Sequence, residues 1–176
     1  MAARTGADTT RLAEDGRLGD TAGVVTDGLL AGLAAGLVIA AWFFVYDLFQ
    51  GRPFYTPTVL GAAVFRAGAG LESPGTIAPS LDLVLPFTWL HLLVFCIIGG
   101  IASYLLSIAE RNPNYGFGVV LLFAIFECGF VFASQMVAES VLDALAWPAV
   151  LMGNLLAATA MVTVLWRRHP RLAILP

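Results

Sequence analysis

Four stretches of this sequence are too long and too apolar for the interior of a water-soluble domain: residues 24–49, 83–109, 115–141 and 145–166. A helix needs about 20 apolar residues to cross ~30 Å of hydrocarbon, and each stretch supplies them. Hydrophobic residues make up 59% of the 176 positions and charged residues only 12%, against about 25% charged in a typical soluble domain. So few charges cannot dress a soluble surface, and the solvent has to be lipid. The fold expected is an all-α membrane protein, a four-transmembrane-helix up-down bundle in which the lipid bilayer is the principal partner.

Prolines punctuate the ends of these runs. Pro86 and Pro148 are expected in first turns, where a missing N–H costs nothing. Pro113 sits in the polar turn Glu110-Arg111-Asn112-Pro113-Asn114, and Pro170 closes the last run. Residues 1–22 alternate acidic, basic and small side chains and contain no apolar core for a cleavable signal. They read as a disordered cytoplasmic tail, followed by a transmembrane domain over 23–168 and a short cytoplasmic tail over 169–176.

Orientation follows from arginine, since all nine basic residues are Arg. With four spans, Arg4, Arg11, Arg17, Arg111, Arg167, Arg168 and Arg171 share one side, and Arg52 and Arg66 the other. The basic side is cytoplasmic by the positive-inside rule. Absence of lysine alongside abundant Ala and Gly suggests a bacterial source, so the membrane expected is the bacterial plasma (cell inner) membrane, with both termini cytoplasmic. Tyr46, Tyr55, Trp89 and Trp147 would mark the outer interface, and Tyr115 and Trp166 the inner one.

The longest connection, residues 50–82, is external. Within it, Thr56 as cap and Pro57 at the first helical position predict a short interfacial helix. Val59, Leu60, Ala63 and Val64 would share one face of it. Small residues recur at four-residue spacing elsewhere: Gly28, Gly32, Gly36 and Ala40 in the first span, Ala149, Gly153 and Ala157 in the fourth, and Gly99 with Ser103 in the second. Such ridges let helices approach closely in lipid. The contact served is either internal packing or docking on a membrane-protein partner or a second copy.

Ionisable and strongly polar groups inside spans are costly, about 2.5–3.5 kcal/mol at the centre on insertion scales. The spans contain Asp47, His91, Glu127 and Asn154, all expected in the outer half, and the last three near one level. One reading is an outward-facing polar pocket in which Glu127 accepts a proton and His91 is its partner. The other is a buried hydrogen-bond cluster that fixes helix register. Asp47, close to a helix end, has the further option of reaching water.

Catalytic templates are missing. No HExxH, GxSxG, P-loop or di-iron motif occurs, and one intramembrane histidine cannot supply bis-histidine haem ligation. Cys96 and Cys128 lie in apolar runs without CxxC spacing and read as buried thiols. Glu139 and Asp143, four apart, read as a solvated face rather than a metal site, and His169 as part of the inner arginine anchor. No basic stripe suits nucleic acid. No metal is indicated, and the cofactor stays unknown. The chain resembles small four-helix proteins of bacterial membranes in make-up alone, which assigns no residue a role. The reading therefore leans away from an enzyme, towards an accessory or structural subunit packed against a larger membrane complex. The alternatives are a small oligomeric proton-coupled transporter using the outer-half Glu/His pocket, and a quinone- or haem-binding redox protein.

Overall fold

A computed structural model of the chain describes residues 2–67, 77–111 and 147–168. These hold four helices and no strand: α1 (Ala2–Phe49), α2 (Tyr55–Phe65), α3 (Leu81–Arg111) and α4 (Trp147–Arg168). Three of the four, over Thr21–Phe49, Leu81–Glu110 and Pro148–Arg168, are long and apolar enough to cross a membrane. The expected span at 115–141 lies outside the described residues.

Helix α1 is the axis of the described structure. One side of it bears Gly28, Gly32 and Gly36; the adjoining side bears Ala31, Ala35 and Ile39. These are two stripes at the i, i+4 spacing of neighbours on a helix surface. Against the glycine stripe lies α3, antiparallel. A Cβ on Gly28 would come 2.5 Å from Gly100 Cα, and one on Gly32 would come 2.6 Å from Cys96 Cα. A Cβ on Gly36 would reach Leu92 Cδ2 at 3.0 Å. Each four-residue step up α1 is matched by about four residues back along α3, so the two backbones run side by side through the bundle.

Against the alanine stripe lies α4, also antiparallel. Ala31, Ala35 and Ile39 pack with Ala157, Met161 and Leu165, and Phe95, Ile98, Ala102 and Leu106 of α3 close over this core. Gly153 accommodates Trp42, whose Cδ1 would be 2.9 Å from a Cβ there. Ala40 is half-buried. Val24, Arg111 and Arg168 thus gather at one end of the layer, the tail end. Phe49, Leu81 and Trp147 gather at the other, the loop end. Arg111 and Trp147 lie at opposite ends of the layer.

Several boundaries differ from expectation. The tail expected to be disordered over residues 1–22 is helical from Ala2, as an unbroken extension of α1. Ala, Leu, Arg and Glu in that segment favour helix, and no proline interrupts it. Helix α3 starts at Leu81 because Ser80 C=O accepts from both Leu83 N–H and Val84 N–H, each at 3.0 Å. Pro86 consequently sits inside the helix, beyond the first turn.

The start of α2 is also shifted. Its N-cap is Phe54 and not Thr56, which makes Pro57 the third helical residue instead of the first. The buried face comprises Tyr55, Thr58, Val59 and Ala62, while Val64 is exposed. This face packs on Leu83, with Leu60, Ala63 and Ile77 around it. A Cβ on Gly61 would meet Leu83 O at 2.8 Å, so the glycine admits the first turn of α3 and thereby determines which way α2 is rolled.

Candidate functional site

The polar residues of the described spans sort into two groups, those with protein partners and those without. Asp47 belongs to the first. Helix α1 ends in the hydrogen-bond pattern of a Schellman turn: Gly51 N–H donates to Leu48 O at 3.0 Å and Arg52 N–H donates to Asp47 O at 2.9 Å. Gly51 takes φ +70°, a left-handed value that glycine adopts without a Cβ penalty. The turn brings residues 52–56 back alongside α1. There the Asp47 carboxylate, 2% exposed, accepts from Thr56 N–H at 2.7 Å and from Thr56 Oγ1 at 2.6 Å. Asp47 therefore closes α1 with its carbonyl and caps α2 with its side chain. It does not reach water, and no hydrogen bond joins it to His91 or Asn154.

The strap formed by α2 has further fastenings. Thr58, fully buried, donates its hydroxyl to Phe54 O at 2.7 Å and accepts from Ser80 N–H at 3.3 Å. Phe54 takes the left-handed region at φ 65°, unusual for a bulky residue. It is held there by Thr58 and by the Phe44 ring, 5.1 Å away between centroids. The Arg52 guanidinium stacks 4.1 Å from the Tyr55 ring centre, and Tyr55, expected in an interfacial belt, is buried.

Three more contacts bind the long helices. Trp42 Nε1 donates to Ala149 O at 2.8 Å. Ser103, fully buried, donates to Val24 O at 2.8 Å. At the tail end Arg168 pairs with Asp27 at 3.0 Å. Sequence reading passed over Asp27 and Trp42, and took Thr56 as a helix cap without its bond to Asp47. For Asp27 and Arg168 there was a usable signal, an acid near one end of the first span and a base at the matching end of the last.

His91 and Asn154 form the second group. His91 lies one turn towards the loop end from Phe95, on the α3 stripe that faces the α1–α4 core, with its ring against Phe87 and Phe95 at centroid distances of 5.7 and 4.8 Å. Leu92 lies opposite Gly36, and Gly153 opposite Ile39 and Trp42. This register puts His91 and Asn154 within about one helical turn, ~5 Å, of the same depth. Both are half-buried. Among the described residues neither has a hydrogen-bond partner, and they do not bond each other. Glu127, the third member of the expected cluster, lies outside the described residues, as do Cys128, Glu139, Asp143 and His169.

Cys96 is a free, half-buried thiol. Among the described residues no group of three or more His, Cys, Asp or Glu side chains is placed to hold a metal ion. Searches of protein families, curated proteins and solved structures find nothing similar to this chain.

Proposed function

We propose that this chain is a small polytopic subunit of the bacterial inner membrane, inserted as a four-span bundle with both termini cytoplasmic. Its role is structural or accessory to a larger membrane complex. The observation that carries the reading is the use made of its polar groups. Asp47, Asp27, Arg168, Trp42 and Ser103 each join one helix or loop to another, as a scaffold requires, and none is directed at a common reaction centre. Arg111, Arg167 and Arg168 at the tail end also support that end as cytoplasmic. Extraction in a mild detergent followed by native electrophoresis tests the reading. The expected particle is much larger than one 18.6 kDa chain in its detergent micelle, and a monodisperse monomer overturns the proposal.

A second reading has its own support: His91 and Asn154 come to one depth with no partner among the described residues. That pairing suits a polar binding cleft in an oligomeric proton-coupled carrier, to which Glu127 would contribute the titrating carboxylate. Replacing His91 by Phe separates the readings. A carrier loses pH-dependent uptake in vesicles, whereas a scaffold retains its assembly.

A further inference from the structure

Helix α2 carries no charged residue. Its polar side chains, Tyr55, Thr56 and Thr58, are all buried, and both threonine hydroxyls donate inside the protein, to Asp47 and to Phe54 O. What it exposes is apolar: Val64 and Phe65 are 53% and 48% accessible. A helix that rests on a membrane surface has a charged or polar face turned to water. This one has none.

The backbone points the same way. In hydrocarbon every backbone donor has to find a partner within the protein, and the first turn of α2 meets that demand. Tyr55 N–H donates to Arg52 O at 3.1 Å and Thr56 N–H to Asp47 at 2.7 Å. Pro57 has no N–H, and Thr58 N–H donates to Phe54 O at 3.2 Å. A helix start bathed in water needs no such closure.

We infer that α2 is immersed in the acyl layer of the leaflet at the loop end, its Val64–Phe65 face in contact with phospholipid chains. Arg52 and Arg66 are exposed and stand beyond the two ends of this 11-residue helix, which is about 16 Å long at 1.5 Å per residue. Arg66 has an apolar stem long enough to lift its guanidinium to the lipid phosphates, while the Arg52 guanidinium lies over the Tyr55 ring. The start of α3 exposes apolar side chains as well, Leu81, Leu85 and Trp89 at 63%, 66% and 75%. The inference requires insertion of the long helices and holds equally for a scaffold or a carrier.

Spin labels on Val64→Cys and Leu93→Cys test it, each in a full chain with Cys96→Ala and Cys128→Ala. The protein is reconstituted in vesicles of phosphatidylcholine and phosphatidylglycerol, and collisions with oxygen and with a water-soluble nickel chelate are compared. Leu93 is an exposed mid-span position and reports the lipid interior. Immersion gives Val64 an oxygen-to-nickel collision ratio well above that of a label on Arg66→Cys and approaching that of Leu93. Frequent nickel collisions at Val64 overturn the inference by placing α2 in water. Rare collisions with both reagents overturn it too, since they mean that protein covers the face. If Leu93 itself meets nickel freely, the spans are not inserted and the inference falls with them.

Discussion

Replacing Gly32 with alanine adds one methyl group, and the structure makes that methyl expensive. The new Cβ would lie 2.6 Å from Cys96 Cα, with Phe95 O and C also inside van der Waals contact. Optimal carbon–carbon separation is about 3.5–4.0 Å, so the two helices must part by roughly 1 Å locally. The obstructing atoms are backbone, and no rotamer change relieves them. Overpacking of this kind costs about 1–3 kcal/mol, and separation also strains the Ser103 bond to Val24 O two turns away. Alanine at an unobstructed helix position gains about 1 kcal/mol over glycine. Gly100 supplies that control on the partner helix, because a Cβ there meets nothing within 4 Å. Gly32→Ala is expected to lower the midpoint of unfolding in a dodecyl maltoside to dodecyl sulfate titration, while Gly100→Ala leaves it unchanged or raises it. Gly36→Ala should fall between them, since its nearest obstruction is the end of the Leu92 side chain at 3.0 Å. Equal shifts for Gly32→Ala and Gly100→Ala would refute close backbone packing of α1 on α3.

Asp47→Ala leaves the Thr56 N–H and hydroxyl buried without their acceptor, at a cost of about 1–3 kcal/mol for each unsatisfied donor; protease susceptibility of the 50–67 segment should rise, and an unchanged digestion pattern counts against the capping role. Trp42→Phe keeps most of the ring over Gly153 but removes the bond to Ala149 O, and a loss of about 0.6 kcal/mol, typical of interhelical hydrogen bonds in membranes, is expected in the same detergent titration. The Asp27–Arg168 pair is half exposed on its arginine side, so a double-mutant cycle with Asp27→Asn and Arg168→Gln should return a coupling of at most about 1 kcal/mol that weakens with salt.

The long apolar runs were legible because hydrocarbon thickness dictates their length, and the glycine spacing in α1 was legible because helix geometry dictates which residues share a ridge. What escaped reading depends on turns. Asp47 looked like a carboxylate free to reach water, because nothing local shows that the Gly51 turn folds Thr56 back onto it. Which side of α2 meets the protein escaped for a related reason: with apolar residues on several sides of the helix, side-chain pattern alone does not choose it. Gly61 chooses it, by admitting Leu83 of a different helix. The second ridge of α1, Ala31, Ala35 and Ile39, was overlooked beside the more conspicuous glycines, although it seats α4 in the same way.

The two kinds of fastening divide the bundle between them. Through the middle of α1, where an unpaired polar group would cost most, association relies on glycine and alanine and on the close backbone approach they permit. Hydrogen bonds and charges concentrate towards the ends: Asp47, Thr56 and Trp42 at the loop end, and Asp27, Arg168 and Ser103 at the tail end. End contacts of this kind resist sliding of one helix along another, which small-residue ridges alone do not. Both flanking helices take their register from α1, and α3 and α4 face each other chiefly across its alanine stripe. His91 and Asn154 stand on the loop side of that stripe. A register set by α1 therefore also sets the depth and separation of these two side chains, and any function they have is coupled to the packing of the first helix.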